Sequence, residues 1–269
     1  MIASALLPVL AAVAIWWLST GALLWLVGRK PQTYKWTAIG MSAAMLGAMA
    51  LTLWLRDRSG IGDAYLAFAA GVVLWAWHET MFLLGYISGP RKTPCPPNLK
   101  AWPRFLVSTQ TVIHHEAAIA FHAAALIGLS WGTQNPFVMA TFLLLWGMRL
   151  NAKFVVFLGA PNISDEVLPS HLTYLSSYFG KQRVTAFFPL FISTATIAAT
   201  ALTYQAAILP LGSFEHIGFL LLGTLAALAV LEHWLLILPV PDTALWSWAI
   251  DTSNKTSPLK SGASQYGRH

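Results

Sequence analysis

The sequence predicts an all-α fold, a polytopic transmembrane helix bundle with about seven spans. Of its 269 residues, 57% are hydrophobic and only 10% are charged, whereas charged residues make up about 25% of an ordinary soluble domain. A helix needs about 20 apolar residues to cross a hydrocarbon core about 30 Å thick. Runs of about this length occur at Leu7–Val27, Trp36–Leu55, Ala64–Ile87, Phe105–Trp131, Pro136–Leu158, Thr185–Leu209 and His216–Leu238.

The distribution of basic residues predicts the orientation of these spans. Twelve of the sixteen Lys and Arg residues follow an odd-numbered span, in loops or in the C-terminal segment, whereas only Arg56 and Arg58 follow an even-numbered one. Because cytoplasmic loops carry an excess of Lys and Arg, the N-terminus is expected outside and the C-terminus in the cytoplasm. The net charge of +6 is then explained by cytoplasmic loops that face anionic lipid. Membrane lipid is therefore an expected partner, and no nucleic-acid partner is expected.

Residues 1–241 are expected to form a single transmembrane domain, and residues 242–269 a cytoplasmic tail. One segment, Pro161–Arg183, is neither a span nor a short loop. Four of its apolar residues recur at helical spacing: Leu168, Leu172, Leu175 and Phe179. Pro169 suits the first turn of a helix, and Gly180 suits its end. This pattern predicts an interfacial helix on the cytoplasmic surface after span five; docking to a partner helix is the alternative.

Ionisable residues lie inside the predicted spans, although such groups are costly in lipid. They form three adjacent pairs of an acid and a histidine, with two basic residues on span five: His78-Glu79, His115-Glu116, Glu232-His233, Arg149 and Lys153. Counted along the spans, all of them fall in the middle or the cytoplasmic half of the bilayer, with His115 and Glu116 near the midplane. Their shared depth predicts a single site. One interpretation is a structural network in which Glu79, Glu116 and Glu232 neutralise Arg149 and Lys153.

A second interpretation is a transition-metal centre, because imidazoles and carboxylates are ligands for iron, zinc or manganese. The candidate ligands are Glu79, His115, Glu116, Glu232 and His233. Di-iron helix bundles use Glu-x-x-His, which places both ligands on one helix face, whereas adjacent residues point about 100° apart around the helix axis. Neither Glu-x-x-His nor His-Glu-x-x-His occurs in the sequence.

A third interpretation is pigment or cofactor binding, for which one neutral imidazole in a hydrophobic pocket suffices. It can ligate the magnesium of a chlorophyll-type ring or a haem iron. The candidates are His78, His115, His122 and His233. His115 and His122 are seven residues apart and therefore share a helix face, about 10.5 Å apart along the axis. Trp75 and Trp77 lie inside span three beside His78 and are expected either to pack in the core or to flank a flat ligand.

Small residues at helical spacing allow transmembrane helices to approach closely. Two such sets predict faces where partner helices dock: Gly40, Ala44 and Gly47 in span two, and Ala195, Ala199 and Thr203 in span six.

Four stretches carry a resemblance to a known family: Gly89–Pro97 (GPRKTPCPP), the His115-Glu116 pair, Leu158–Phe179 (LGAPNISDEVLPSHLTYLSSYF) and Leu231–Trp246 (LEHWLLILPVPDTALW). The chain resembles PuhE, a family of photosynthetic-complex assembly proteins encoded among the photosynthesis genes of purple and related phototrophic bacteria. The likeness implies a multi-pass protein of the bacterial inner membrane, cytoplasmic or intracytoplasmic. It also implies reaction-centre or light-harvesting subunits, or pigment-synthesis enzymes, as partners, and bacteriochlorophyll or a precursor as ligand. It implies no catalytic residue.

Two hypotheses on function follow. The first is a non-enzymatic factor that assembles the photosynthetic apparatus or controls its bacteriochlorophyll supply. The second is a metal-dependent membrane enzyme that acts on a lipophilic tetrapyrrole or quinone-type substrate. The spacing of the ionisable residues lacks a recognised catalytic arrangement, which favours the first.

Overall fold

The computed structural model describes residues 2–163, 165, 168–181, 183–240 and 242–250. Within this part of the chain there are eight α-helices and no strands, which confirms the predicted all-α class. The helices are α1 (Ile2–Val27), α2 (Tyr34–Leu55), α3 (Ile61–Leu83), α4 (Ala101–Thr109), α5 (Ile113–Leu129), α6 (Phe137–Leu158), α7 (Phe188–Ile208) and α8 (Phe214–Leu235). Six of them are long and apolar enough to span a membrane, and α4 with α5 makes a seventh if the pair is one broken span. The orientation of the bundle stays a prediction.

Helix α3 lies at the centre of the bundle, in contact with α1, α2, α5, α6 and α8. Its approach to α6 depends on Gly71, since a Cβ there would lie 2.9 Å from the Val138 carbonyl oxygen and 2.6 Å from the Thr141 side chain. In lipid no hydrophobic force drives helices together, and small residues instead let their backbones approach closely enough for van der Waals packing. The close approach at Gly71 places α3 directly against α6.

The predicted fourth span, Phe105–Trp131, is interrupted, because α4 and α5 meet at an angle of 65°. Thr109 and Thr111 donate their hydroxyls to backbone carbonyls three or four residues earlier, a contact that competes with regular helix and often bends it. The break leaves backbone groups without partners inside a helix, and the loop after α3 bonds to one of them: the amide of His115 donates to Ser88 O, 3.0 Å away. His115 therefore lies in the first turn of α5, and the prediction of one continuous helix from Phe105 to Trp131 was wrong.

The loop after α3 begins at Gly85, whose φ of +80° suits the residue that ends a helix. Helix α3 therefore ends at Leu83, before the predicted end of the third span at Ile87. Further along, Gly89 crosses the break between α4 and α5 so closely that a Cβ would lie 2.0 Å from the Gln110 carbonyl oxygen. This contact fixes the start of α5 relative to α3.

The predicted interfacial helix is present as a shorter 3-10 helix, Ser170–Tyr178, with Pro169 just before it. Leu172 and Leu175 are buried against Phe82 of α3 and Val112. Side-chain hydroxyls in the segment donate to carbonyls three residues earlier. The apolar side of this segment thus faces the protein, where it covers one end of the bundle.

Part of the predicted tail packs against α1. Residues Asp242–Trp246 form a 3-10 helix, the Trp246 ring lies 5.3 Å from that of Trp16, and Trp17 Nε1 donates to Leu245 O at 2.9 Å. Residues 251–269 lie outside the described residues, and the cytoplasmic location of the tail stays a prediction.

Candidate functional site

Glu79 lies at the contact between α3, α5 and α6. Its carboxylate is 3.3 Å from Arg149 Nη2 of α6 and 3.6 Å from His115 Nε2 of α5. The Glu79 side chain is only 9% exposed, whereas that of Arg149 is 47% exposed. Lys153 adds a further electrostatic attraction to Glu79. Glu79 thus joins three helices through charged and polar contacts.

Glu116 forms the second ion pair, with Lys153 Nζ at 2.5 Å, and it also accepts a hydrogen bond from Trp146 Nε1 at 3.1 Å. Since His115 and Glu116 are adjacent on α5, they point about 100° apart, one toward α3 and the other toward α6. Arg149 and Lys153 are four residues apart and share a face of α6. One face of α6 therefore supplies cations to two carboxylates that belong to different helices.

Three histidines predicted as site residues lie together. His78 Nε2 is 2.9 Å from His122 Nδ1, and the His78 ring centroid is 6.5 Å from that of His115. Phe82 lies against His115, and Phe142 lies against His78 and His122. All three histidines are at least nine-tenths buried. His115 and His122 lie on one face of α5, as the spacing predicted, and both approach His78 of α3.

Several polar atoms of this cluster have no hydrogen-bond partner: His78 Nδ1, both ring nitrogens of His115, His122 Nε2 and Glu79 Oε1. Unpaired polar groups are costly away from water, and buried polar atoms in proteins normally have partners. These nitrogens and this oxygen are the atoms of the cluster that could still bind a proton, an ion or a ligand.

The third predicted pair, Glu232-His233, contacts a different part of the bundle. Glu232 accepts a hydrogen bond from Trp16 Nε1 of α1 at 2.8 Å. His233 is buried, and its Nδ1 lies 2.6 Å from Ala229 O, one turn earlier on the same helix. Glu232 therefore links α8 to α1, whereas the His233 ring bonds within α8.

The five predicted metal ligands are not assembled into one centre. Among the described residues, no three His, Cys, Asp or Glu side chains are grouped so that they could hold a metal ion. The physical reason is the adjacency of the pairs, which sends neighbouring ligands to different helices, and the engagement of the carboxylates by Arg149, Lys153 and Trp16. The metal interpretation would require these side chains to regroup.

A cavity of about 790 Å³ opens beside the ion pairs, between α1, α3, α6 and α8. The 3-10 segment 170–178 and Trp246 complete its wall. Its charged lining residues are Arg29, Glu79, Arg149, Lys153 and Glu232. None of the four predicted pigment-binding histidines lines it. As axial ligands, His78, His115, His122 and His233 stay a prediction, and each would need the core to open before a large ring could reach it.

Tryptophans near the charges were only partly foreseen. Trp75 lines the cavity and packs edge-on against Phe142, whereas Trp77 donates to Ser42 of α2. The contacts of Trp16 with Glu232 and of Trp146 with Glu116 were missed. The available signal was an indole N–H in the interior of a span, because such a donor needs a partner where lipid offers none.

The stretches that carry the resemblance meet at this end of the bundle. Arg91 Nε donates to the Tyr178 hydroxyl at 2.6 Å, which in turn donates to Thr93 O at 2.9 Å. Asn162 donates to the carbonyls of Leu235 and Val240 at 2.7 and 2.8 Å. Hydrogen bonds thus join segment 89–97 to segment 158–179, and segment 158–179 to segment 231–246; residues of the last two segments line the cavity.

Fold and site together define a multi-pass helical membrane protein with a buried cluster of charged and imidazole groups beside a cavity. The chain belongs to the family described as "Protein of unknown function (DUF3623)", which matches residues 2–257. It is 35% identical over 248 residues to the "Uncharacterized 30.4 kDa protein in puhA 5'region" of Rhodobacter capsulatus, a match that covers 91% of this chain and 90% of that protein. No solved structure matches the chain.

Proposed function

We propose that this protein is an integral membrane assembly or regulatory factor of the bacterial photosynthetic apparatus. It acts in reaction-centre or light-harvesting complex assembly, or in bacteriochlorophyll supply to these complexes. The observation that carries the proposal is the position of the relative's gene in the puhA 5'region, a photosynthesis gene region. Likeness over nine-tenths of both chains makes a shared role the simplest interpretation.

The structure is compatible with such a role. A membrane factor that receives a pigment or a pigment protein needs apolar helices, an internal space and a surface for its partner. The cavity offers the space, and an unpacked face of α2 offers the surface, since a Cβ at Gly40 or Gly47 would meet nothing within 4 Å. The expected partners are reaction-centre or light-harvesting subunits or pigment-synthesis enzymes.

A gene deletion in a phototrophic bacterium that carries this gene tests the proposal. The deletion strain is expected to contain less reaction-centre and light-harvesting absorption per cell, and the wild-type gene supplied in trans is expected to restore it. The Lys181→Met variant, altered at an exposed ion pair whose residues do not line the cavity, is the matched control and should restore absorption equally well. Unchanged pigment-protein content in the deletion strain would refute the proposal.

The enzymatic alternative has one specific observation in its favour, the unpartnered nitrogens of His78, His115 and His122 beside Glu79. Metal analysis of the purified protein separates the two. A stoichiometric iron, zinc or manganese that His115→Ala removes and His114→Ala retains would favour the enzyme, because His114 is an exposed neighbour.

A further inference from the structure

The cavity beside the charged cluster has the size and walls of a ligand site. Its volume of about 790 Å³ lies within the range of about 300–1,000 Å³ that is typical of small-molecule pockets. Aromatic side chains from five parts of the fold line it: Trp16, Trp75, Phe82, Phe157, Tyr178 and Trp246. Such walls favour flat, apolar molecules that can stack against them.

The charges that line the cavity are largely balanced, but donor groups remain. Arg149 pairs with Glu79 through Nη2, and a guanidinium carries five N–H donors. Lys153 pairs with Glu116 and has three donors. The Arg149 side chain is 47% exposed and lines the cavity. Paired cations with further donors suit carbonyl, ester or carboxylate oxygens on a ligand more than they suit a ligand of high charge.

We infer that this cavity binds a flat, lipophilic ring molecule that carries oxygen acceptors on its edge. The ring lies between the aromatic walls near Trp75, and its oxygens accept hydrogen bonds from Arg149 and Lys153. Tetrapyrroles and quinones share this chemistry. The inference deepens the proposed function and depends on it for the expectation that the ligand is a pigment or a pigment precursor.

Binding in this cavity needs no metal–histidine bond, because none of the histidines of the cluster lines it. A porphyrin without a central metal should therefore bind as well as a metallated one. Comparing the two porphyrins therefore shows whether the ligand binds in the cavity or at the buried histidines.

The test uses the purified full chain in mild detergent, with quenching of tryptophan fluorescence by metal-free protoporphyrin IX and by decylubiquinone. Saturable binding of the porphyrin alone identifies a tetrapyrrole site, and that of the quinone alone a quinone site. Ala152 lines the cavity on α6, so Ala152→Phe should weaken binding at least about tenfold. Ala201→Phe, on an exposed position of α7, should leave it unchanged.

Two further variants keep the test decisive. Ala76→Phe fills the cavity from α3 and replaces Ala152→Phe if that protein does not fold. The double variant Glu79→Gln/Arg149→Met removes the donor without leaving a lone charge, and it should weaken binding at least about fivefold. Wild-type affinity in a folded cavity-filling variant, or no saturable binding of either probe, would overturn the inference.

Metal-free and zinc-loaded protoporphyrin IX separate the two places of binding, because only the zinc-loaded form can bond to an imidazole. Equal affinities of the wild-type protein for the two are expected, whereas binding of the zinc-loaded form alone, lost in His115→Ala, would move the ligand into the histidine cluster. Failure of this inference and of the proposed function remain distinguishable. If the purified protein binds a probe in its cavity but the deletion strain has normal photosynthetic complexes, the site is retained and the proposed role is refuted.

Discussion

At the scale of single residues, two carboxylates of the site are each held in an ion pair with a basic side chain of a neighbouring helix. Glu79 and Glu116 lie on different helices, yet both meet cations from one face of α6. A buried charge deprived of its partner costs far more than an exposed one, because the low-dielectric surroundings cannot solvate it.

Glu116→Ala should lower the free energy of unfolding in detergent by about 3 kcal/mol, since it leaves the Lys153 ammonium without its partner. Lys181→Met breaks an exposed ion pair with Asp165 and should cost less than about 1 kcal/mol. The double variant Glu116→Gln/Lys153→Met should recover most of the loss. A thermal or denaturant unfolding series measures all three, and equal losses for Glu116→Ala and Lys181→Met would contradict the structural role.

Gly89 and Gly147 make a second comparison between single residues. A Cβ at Gly89 would lie 2.0 Å from the Gln110 carbonyl oxygen, whereas one at Gly147 meets nothing within 4 Å. Gly89→Ala should therefore destabilise the protein, because backbone must move. Gly147→Ala should be neutral or stabilising by up to about 1 kcal/mol, as expected inside a helix. The unfolding midpoints of the two variants, compared with that of the wild type, test both expectations. A neutral Gly89→Ala would mean that the loop adjusts freely.

At the scale of elements, the break in the fourth span is what brings His115 to α3. The amide of His115 takes its acceptor from the loop after α3, and the 3-10 segment 170–178 is held over the same region by Tyr178. The Tyr178 hydroxyl accepts from Arg91 and donates to Thr93. Loop and segment are therefore bonded into one cover over this end of the bundle, and the segment lines the cavity.

Tyr178→Phe should loosen this cover and raise the rate at which maleimide labels Cys95 severalfold, because the Cys95 amide is bonded to Ser177 of the same segment. Cys95 is the one cysteine of the chain, so the signal is unambiguous. Tyr204→Phe, at an exposed position on α7, is the matched control. Equal labelling rates in the two variants would show that the hydroxyl does not hold the segment.

At the scale of the whole molecule, the two small-residue faces differ. On α7, Ala195 and Ala199 are buried, and Thr203 lies so close to α8 that a Cβ at Gly223 would meet it at 2.8 Å. On α2, Ala44 is exposed and Gly47 has open space beside it. The face of α7 thus serves the fold, whereas no other described residue packs beside Gly47 on α2, and a docking role for the face of α2 stays a prediction.

Ala44→Leu and Gly47→Leu should weaken co-purification of any photosynthetic partner, because larger side chains keep helices apart. Ala201→Leu, exposed on α7, should not affect recovery. Quantitative mass spectrometry of tagged protein from phototrophic membranes measures the difference. Equal partner recovery from all three variants would remove α2 as the docking face.

The sequence by itself determined the membrane class, the helices and the residues of interest, because span length and hydropathy are local properties of the chain. Glu79, Glu116, Arg149 and Lys153 stood out for the same reason, since charge in an apolar run is visible without a structure. Only the tertiary structure decided which carboxylate meets which cation, because helix rotation is hardly constrained in a nearly all-apolar span. It also decided that the fourth span breaks and that a cavity lies beside the ion pairs. Both depend on contacts between segments far apart in the chain, such as that between Ser88 and His115, which local periodicity does not encode.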